Sequence, residues 1–157
     1  MRVLVGGVGY RFLRDESVGP WAVDQLAPRA SGDVEVEDLG YHPVGFIHNL
    51  EERKPYDRLV FISSVRRGDQ PGTLRVYRWE GVLPDAERIQ ERVAEAVTGV
   101  ISLDGLLIVT QALGPMPDDV RVVEIEPGPE GWGEDFSPPV AGRLDEVLET
   151  AWTLTRP

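Results

Sequence analysis

The chain has 157 residues, 41% of them hydrophobic and 27% charged, with no cysteine, two histidines and a formal net charge of −11. Residues 1–78 hold 11 basic and 11 acidic side chains, whereas residues 79–157 hold 5 and 16. Without a basic stripe to neutralise phosphates, the balance argues against nucleic acid and against a polybasic membrane contact. The lack of cysteine removes disulfides, thiolate metal sites and cysteine nucleophiles together.

In chain order, Arg2–Val5 reads as a buried strand that breaks at Gly6, Gly7 and Gly9 into a glycine turn. Val18–Leu26 has apolar residues at Val18, Trp21, Ala22 and Leu26, a helical spacing, with Pro20 in the first turn and Pro28 beyond the end. Asp33–Leu39 alternates apolar and acidic residues, as an edge strand does. A helix over Val44–Arg53 and a strand over Arg58–Val65 follow, the latter apolar enough to be central. After the turn segment GDQPGT, Leu74–Trp79 is a further strand, expected to pair antiparallel across that connection. Asp85–Val97 is a helix with Asp85 as N-cap and Ile89, Val93 and Val97 at four-residue intervals. Leu103–Leu113 is apolar nearly all round, either a buried helix or a strand-like run. Val120–Ile125 is a strand, and Val140–Leu154 is an amphipathic terminal helix. Strands alternating with helices predict an α/β fold, a three-layer α/β/α sandwich on a mostly parallel sheet of about five strands, forming one domain over residues 1–157.

The opening MRVLVGGVGYRFLRDES has too short an apolar run for a signal peptide, and no run approaches the ~20 residues that span a bilayer. The expectation is a cytoplasmic protein without membrane insertion.

In such a sheet the ligand crevice lies outside the carboxyl ends of the strands, which directs attention to the loops Gly6–Gly19, Asp38–Pro43, Ser63–Gly68 and Pro127–Phe136. The first does not complete a dinucleotide fingerprint, because Phe12 stands where a third glycine is needed. Asp15 and Glu16 precede the first predicted helix, where carboxylates favour the positive end of the helix dipole. Ser63 and Ser64 end the central strand with no histidine motif to activate them, so a small-molecule serine hydrolase lacks its base. His42 is placed to face the crevice, His48 to face solvent, and no HExxH or other zinc spacing occurs. Trp79, Trp132 and Phe136 flank irregular segments and are candidates for a partner surface, although packing is the expected use of Trp132. The acidic stretch Glu130–Asp135 is suited to receive a basic tail.

Three stretches carry a resemblance. MRVLVGGVGYRFLRDESVGPWAV, YDRLVFISSVRRGDQPGTLRVY and VRVVEIEPGPEGWGEDFSPPV together resemble the hydrogenase maturation proteases, endopeptidases that remove the C-terminal extension of a nickel-loaded nickel–iron hydrogenase large-subunit precursor. The resemblance runs nearly end to end and implies the same three-layer α/β/α fold. It implies that nickel arrives in the substrate and is met by three side chains of the protease: a glutamate, an aspartate and a histidine. The glutamate position is Glu16, which the resemblance makes the catalytic and metal-contacting residue. The aspartate position is Ser63, within ISSV, and the histidine position is Ser102, within ISLDGLL. The turn asparagine of the family is Tyr10, while Asp38 and Gly40 match the acidic-then-glycine segment after the second strand. Asp38, Gly40, Ser63 and Ser102 are thus the implied substrate-binding positions. A neutral serine hydroxyl is a poor donor to a divalent cation, so Asp38, His42 and Asp104 are the candidate substitute ligands. The partner implied is a hydrogenase large-subunit precursor or related metalloprotein. The substitutions also support an alternative, a non-catalytic relative acting as a hydrogenase assembly or binding factor.

Overall fold

The computed structural model describes residues 1–98 and 102–157, so the first residue of ISLDGLL lies outside it. Five strands form one sheet in the order β2-β1-β3-β5-β4. They are β1 (Val3–Val8), β2 (Val34–Asp38), β3 (Arg58–Ser64), β4 (Leu74–Trp79) and β5 (Asp119–Ile125). Pairings β1–β2, β1–β3 and β3–β5 are parallel, and β4–β5 is antiparallel. The helices are α1 (Val18–Leu26), α2 (Pro43–Glu52), α3 (Ala86–Thr98), α4 (Leu103–Leu113), α5 (Pro138–Ala141) and α6 (Leu144–Thr153). No single helix among the described residues is long and apolar enough to cross a membrane.

Strand alternation sorts the core into two layers. Val3, Val5, Val60, Ile62, Val123 and Ile125 face α1, α5 and α6, where Val18, Ala22, Leu26, Val140, Val147 and Ala151 meet them. Leu4, Val8, Leu59, Phe61, Val120 and Val122 face α2 and α4, against Phe46, Leu50, Leu103, Leu106 and Leu107. A strand buried on both faces has no polar side to show, which is why β3 reads as a continuous apolar run. Helix α3 lies outside α4, with Val93 and Ala96 packed against Ile47 and Val109. Asp85 caps it, accepting the Arg88 N–H at 3.0 Å.

Three expectations change. The first strand does not stop at Gly6 but runs through Gly6 and Gly7 to Val8. These glycines are packing residues: a Cβ on Gly7 would overlap the carbonyl of Gly19, and one on Gly6 would overlap the Leu39 side chain. The strand after GDQPGT pairs with β5 and not with β3, because β5 takes the neighbouring edge of β3 in parallel and leaves only its own outer edge free. The terminal helix is broken, since Pro138 and Pro139 open a separate turn of helix that ends at Gly142 before α6 begins. Leu103–Leu113, left between two readings, is a helix whose N-cap is Ser102.

Candidate functional site

Parallel register brings the carboxyl ends of the strands to one edge: Gly7 opposite Asp38, Val8 opposite Ser63, and Ser63 and Ser64 opposite Glu124 and Ile125. After β1 the chain turns through Gly9–Leu13 into a single 3-10 turn, Arg14–Ser17, that leads directly into α1. The two carboxylates on that turn have separate fates.

Asp15 is 2% exposed and bonds inward. It accepts the Gly128 N–H at 2.7 Å, the Ser137 N–H at 2.8 Å and the Ser137 hydroxyl at 2.6 Å. It therefore fastens both ends of the loop that follows β5. A second clasp joins the same loops, with Arg14 N–H donating to the Gly133 carbonyl at 2.9 Å and Gly133 N–H donating to the Phe12 carbonyl at 2.8 Å. Sequence reading gave Asp15 only a capping role, since a bond across 113 residues leaves no local signature.

Glu16 stays partly open to solvent at 33% side-chain exposure and lies 3.8 Å from the Arg66 guanidinium. Arg66 is itself held, donating to the Gly128 carbonyl at 2.8 Å and lying 3.5 Å from Glu130. Tyr10 and Tyr41 pack against each other beside this group, their rings tilted by 39° with centroids 4.5 Å apart. Burial pushes both phenols up; the Glu16 carboxylate adds to the effect at Tyr10, and a hydrogen bond with Ser63 partly opposes it at Tyr41. Arg66, Tyr10 and Tyr41 were not singled out from sequence. Arginine directly after a buried strand that ends in serines was the available signal.

The other predicted positions are occupied within the fold. Ser63 is fully buried; its hydroxyl donates to the Val8 carbonyl at 2.8 Å, joining β3 to β1, and also meets the Tyr41 phenol. Neighbouring Ser64 is also buried, and its hydroxyl has no partner among the described residues. Ser102 accepts the Gly105 N–H at 3.1 Å as the N-cap of α4. Asp104 is clamped by Arg67 at 2.7 and 3.0 Å, and Arg67 also binds the buried Glu124 at 2.8 and 3.0 Å. Asp38 accepts from Arg11 at 2.9 Å and from Gly40 N–H at 3.0 Å, a tight turn that Gly40 enters with φ of 52°. His42 is exposed at the start of α2, and His48 pairs with Glu52 one turn on at 3.3 Å. The structure does not assemble the substitute ligands Asp38, His42 and Asp104 around Glu16: no group of three His, Asp or Glu side chains able to hold a metal forms among the described residues. A neutral serine hydroxyl is a poor donor to a divalent cation, Ser63 is engaged by the Val8 carbonyl and Tyr41 and Ser102 by the Gly105 N–H, so this donor set does not fit a nickel ion.

The sheet order and the helical layers are those of a fold shared with solved maturation endopeptidases. The chain is similar over 99% of its length to the hydrogenase maturating endopeptidase HybD from Escherichia coli, at TM-score 0.74 and 24% identity, covering 93% of that chain. It is similar over 99% of its length to a hydrogenase 2 maturation peptidase from a Thaumarchaeota archaeon, at TM-score 0.69 and 25% identity, covering 98% of that chain. The hydrogenase maturation protease HycI from Thermococcus kodakarensis matches at TM-score 0.65 and 20% identity, again over 99% of this chain and 93% of that one. No protein-family model and no curated protein sequence matches the chain. The resemblance drawn from MRVLVGGVGYRFLRDESVGPWAV and its two companion stretches thus holds in three dimensions, end to end.

Proposed function

We propose that this chain is a cytoplasmic maturation endopeptidase that removes the C-terminal extension of a hydrogenase large-subunit precursor or a related metalloprotein. The observation that carries this reading is the end-to-end correspondence with solved hydrogenase maturation peptidases, with Glu16 at the open end of the parallel sheet. Nickel, in this reading, belongs to the substrate and not to the protein. The protein's own contribution is a carboxylate and a guanidinium held 3.8 Å apart. Glu16 is able to accept a proton from a water or a substrate N–H, and Arg66, steered by Gly128 and Glu130, is able to bind a carbonyl or carboxylate oxygen.

The test is incubation of the protein with purified precursor, loaded and unloaded with nickel, followed by mass measurement of the large subunit. A shortened product that disappears in Glu16→Gln supports the reading. A stable complex with an intact large subunit would instead mark a binding factor, and a Glu16→Gln protein that processes at the parental rate would remove Glu16 from its role.

A further inference from the structure

Beside the Glu16 turn lies a cleft whose apolar lining is Phe12, Pro20, Trp21 and Phe136, with Ser17, Arg11 and Glu134 as its polar members. Ser17 is the residue after Glu16, so the cleft opens one residue from the proposed site. Phe12 is 57% exposed, and Trp132, on the opposing loop, is 85% exposed. Two aromatic side chains this open on facing loops are costly to leave in water.

The backbone that presents Phe12 is strained. Phe12 and Arg14 have φ of 65° and 49°, in the left-handed region that disfavours side chains carrying a Cβ. The strain is held by the clasp between Phe12, Arg14 and Gly133 and by the Asp15 bonds to the far loop. Strain of this kind persists only where surrounding structure over-determines it, and it concentrates at ligand clamps. Trp21 and Phe136 meet edge to face at 5.6 Å, giving one wall a fixed form.

Charge distinguishes what the cleft accepts. Arg11 is held by two carboxylates, Asp24 at 2.7 Å and Asp38 at 2.9 Å, so its charge is more than cancelled. Glu134, in the cleft lining, has no ion-pair partner among the described residues, while Arg14 donates its Nε–H to the Asp135 backbone carbonyl at 3.3 Å and offsets the Asp135 charge on that loop. The rim is therefore acidic around an apolar lining.

We infer that this cleft is the docking groove for an extended peptide segment that carries both apolar and basic side chains, the segment flanking the cleavage point of the protein substrate. The apolar side chains enter between Phe12 and Phe136, and the basic ones meet Glu134 on the rim. That the segment belongs to a hydrogenase precursor rests on the functional reading above; the chemistry of the groove does not.

The test uses two short synthetic peptides. One alternates Val or Leu with Lys, and its twin carries Glu in place of every Lys. Calorimetry and tryptophan fluorescence measure their binding to the full chain. The basic peptide is expected to bind about tenfold or more tightly than its twin, with the difference shrinking in salt. Glu134→Lys, an exposed change that leaves the melting midpoint unmoved, is expected to erase most of that difference, and Phe12→Ser to weaken the basic peptide several-fold. Equal binding of the two peptides, no binding of either, or a preference indifferent to Glu134→Lys would overturn the assignment. So would a self-associated protein that Phe12→Ser turns monomeric, since the occupant would then be a second copy. A chain that binds the basic peptide here yet shortens no precursor defeats the functional reading and leaves the groove standing.

Discussion

Asp15 and Glu16 are adjacent carboxylates with opposite uses, and burial is what separates them. Buried donors facing Asp15 have no water to turn to, so removing the carboxylate strands the Gly128 and Ser137 N–H groups and the Ser137 hydroxyl. Asp15→Ala is expected to cost about 3 kcal/mol, typical of unsatisfied buried partners of a charged acceptor, as a lowered midpoint in urea unfolding. The variant should also loosen the loop after β5 and weaken the docking groove even where the protein remains folded. Glu16→Gln leaves the charge-free isostere in a solvated position, so its loss should appear in processing and hardly in stability. Ser63 and Ser102 show the limit of reading residues by position. Each stands where the resemblance implies a ligand, yet each has a structural use, Ser63 tying two strands and meeting Tyr41, Ser102 capping a helix.

Among the elements, α1 is placed by contact between backbones. Gly19 lies against the carbonyl oxygens of Val8 and Ile62, and Gly7 against the carbonyl of Gly19, so helix and sheet approach with no side chain between them. Gly19→Ala drives a methyl group into two carbonyls of the sheet that cannot rotate aside. We expect a loss of about 3 kcal/mol, at the upper end of overpacking costs, read as a fall in melting temperature. Because α1 follows directly on the Glu16 turn, the same variant should lower processing more than its stability loss explains. Both α1 and β3 were plain in the sequence, α1 by its helical apolar spacing and β3 by an apolar run continuous enough to be buried on both faces. The partner of β4 was not, because the β3–β4 connection is short enough for a hairpin and only the return of β5 between them removes it.

For the whole molecule, the edge strand is secured by an ionic network whose pH behaviour follows from its geometry. Glu35 on β2 accepts the Tyr56 hydroxyl at 2.6 Å and the Arg2 guanidinium at 2.6 Å, with Arg53 at 3.5 Å. The Tyr56 hydrogen bond, followed by Arg2, holds its carboxyl below the usual range, against burial acting the other way. Asp24 is held low by Arg11. A carboxyl whose pKa is lower folded than unfolded contributes stability above the unfolded pKa, near 4.5 for Glu35, and that contribution is lost as pH falls below it. Unfolding midpoints should therefore drop as pH falls below about 5, and Glu35→Gln should flatten that drop. The slope is expected to be modest, since these groups are partly solvated.

The division between sequence and fold follows from the range of the interactions. Composition alone disfavoured phosphate-rich partners. Apolar runs, a period of two in the second strand and helical spacing elsewhere revealed the strands and most helices, because those patterns lie among near neighbours. The glycine turn, the acidic pair and the family-like stretches located Glu16. Tertiary structure decided the rest: the placing of Arg66 beside Glu16, the burial of Ser63, the engagement of Asp104 by Arg67, and the joining of loops 10–14 and 127–137 into one cleft. Each of these depends on residues far apart in the chain meeting at a particular distance, and a local pattern holds no record of such a meeting.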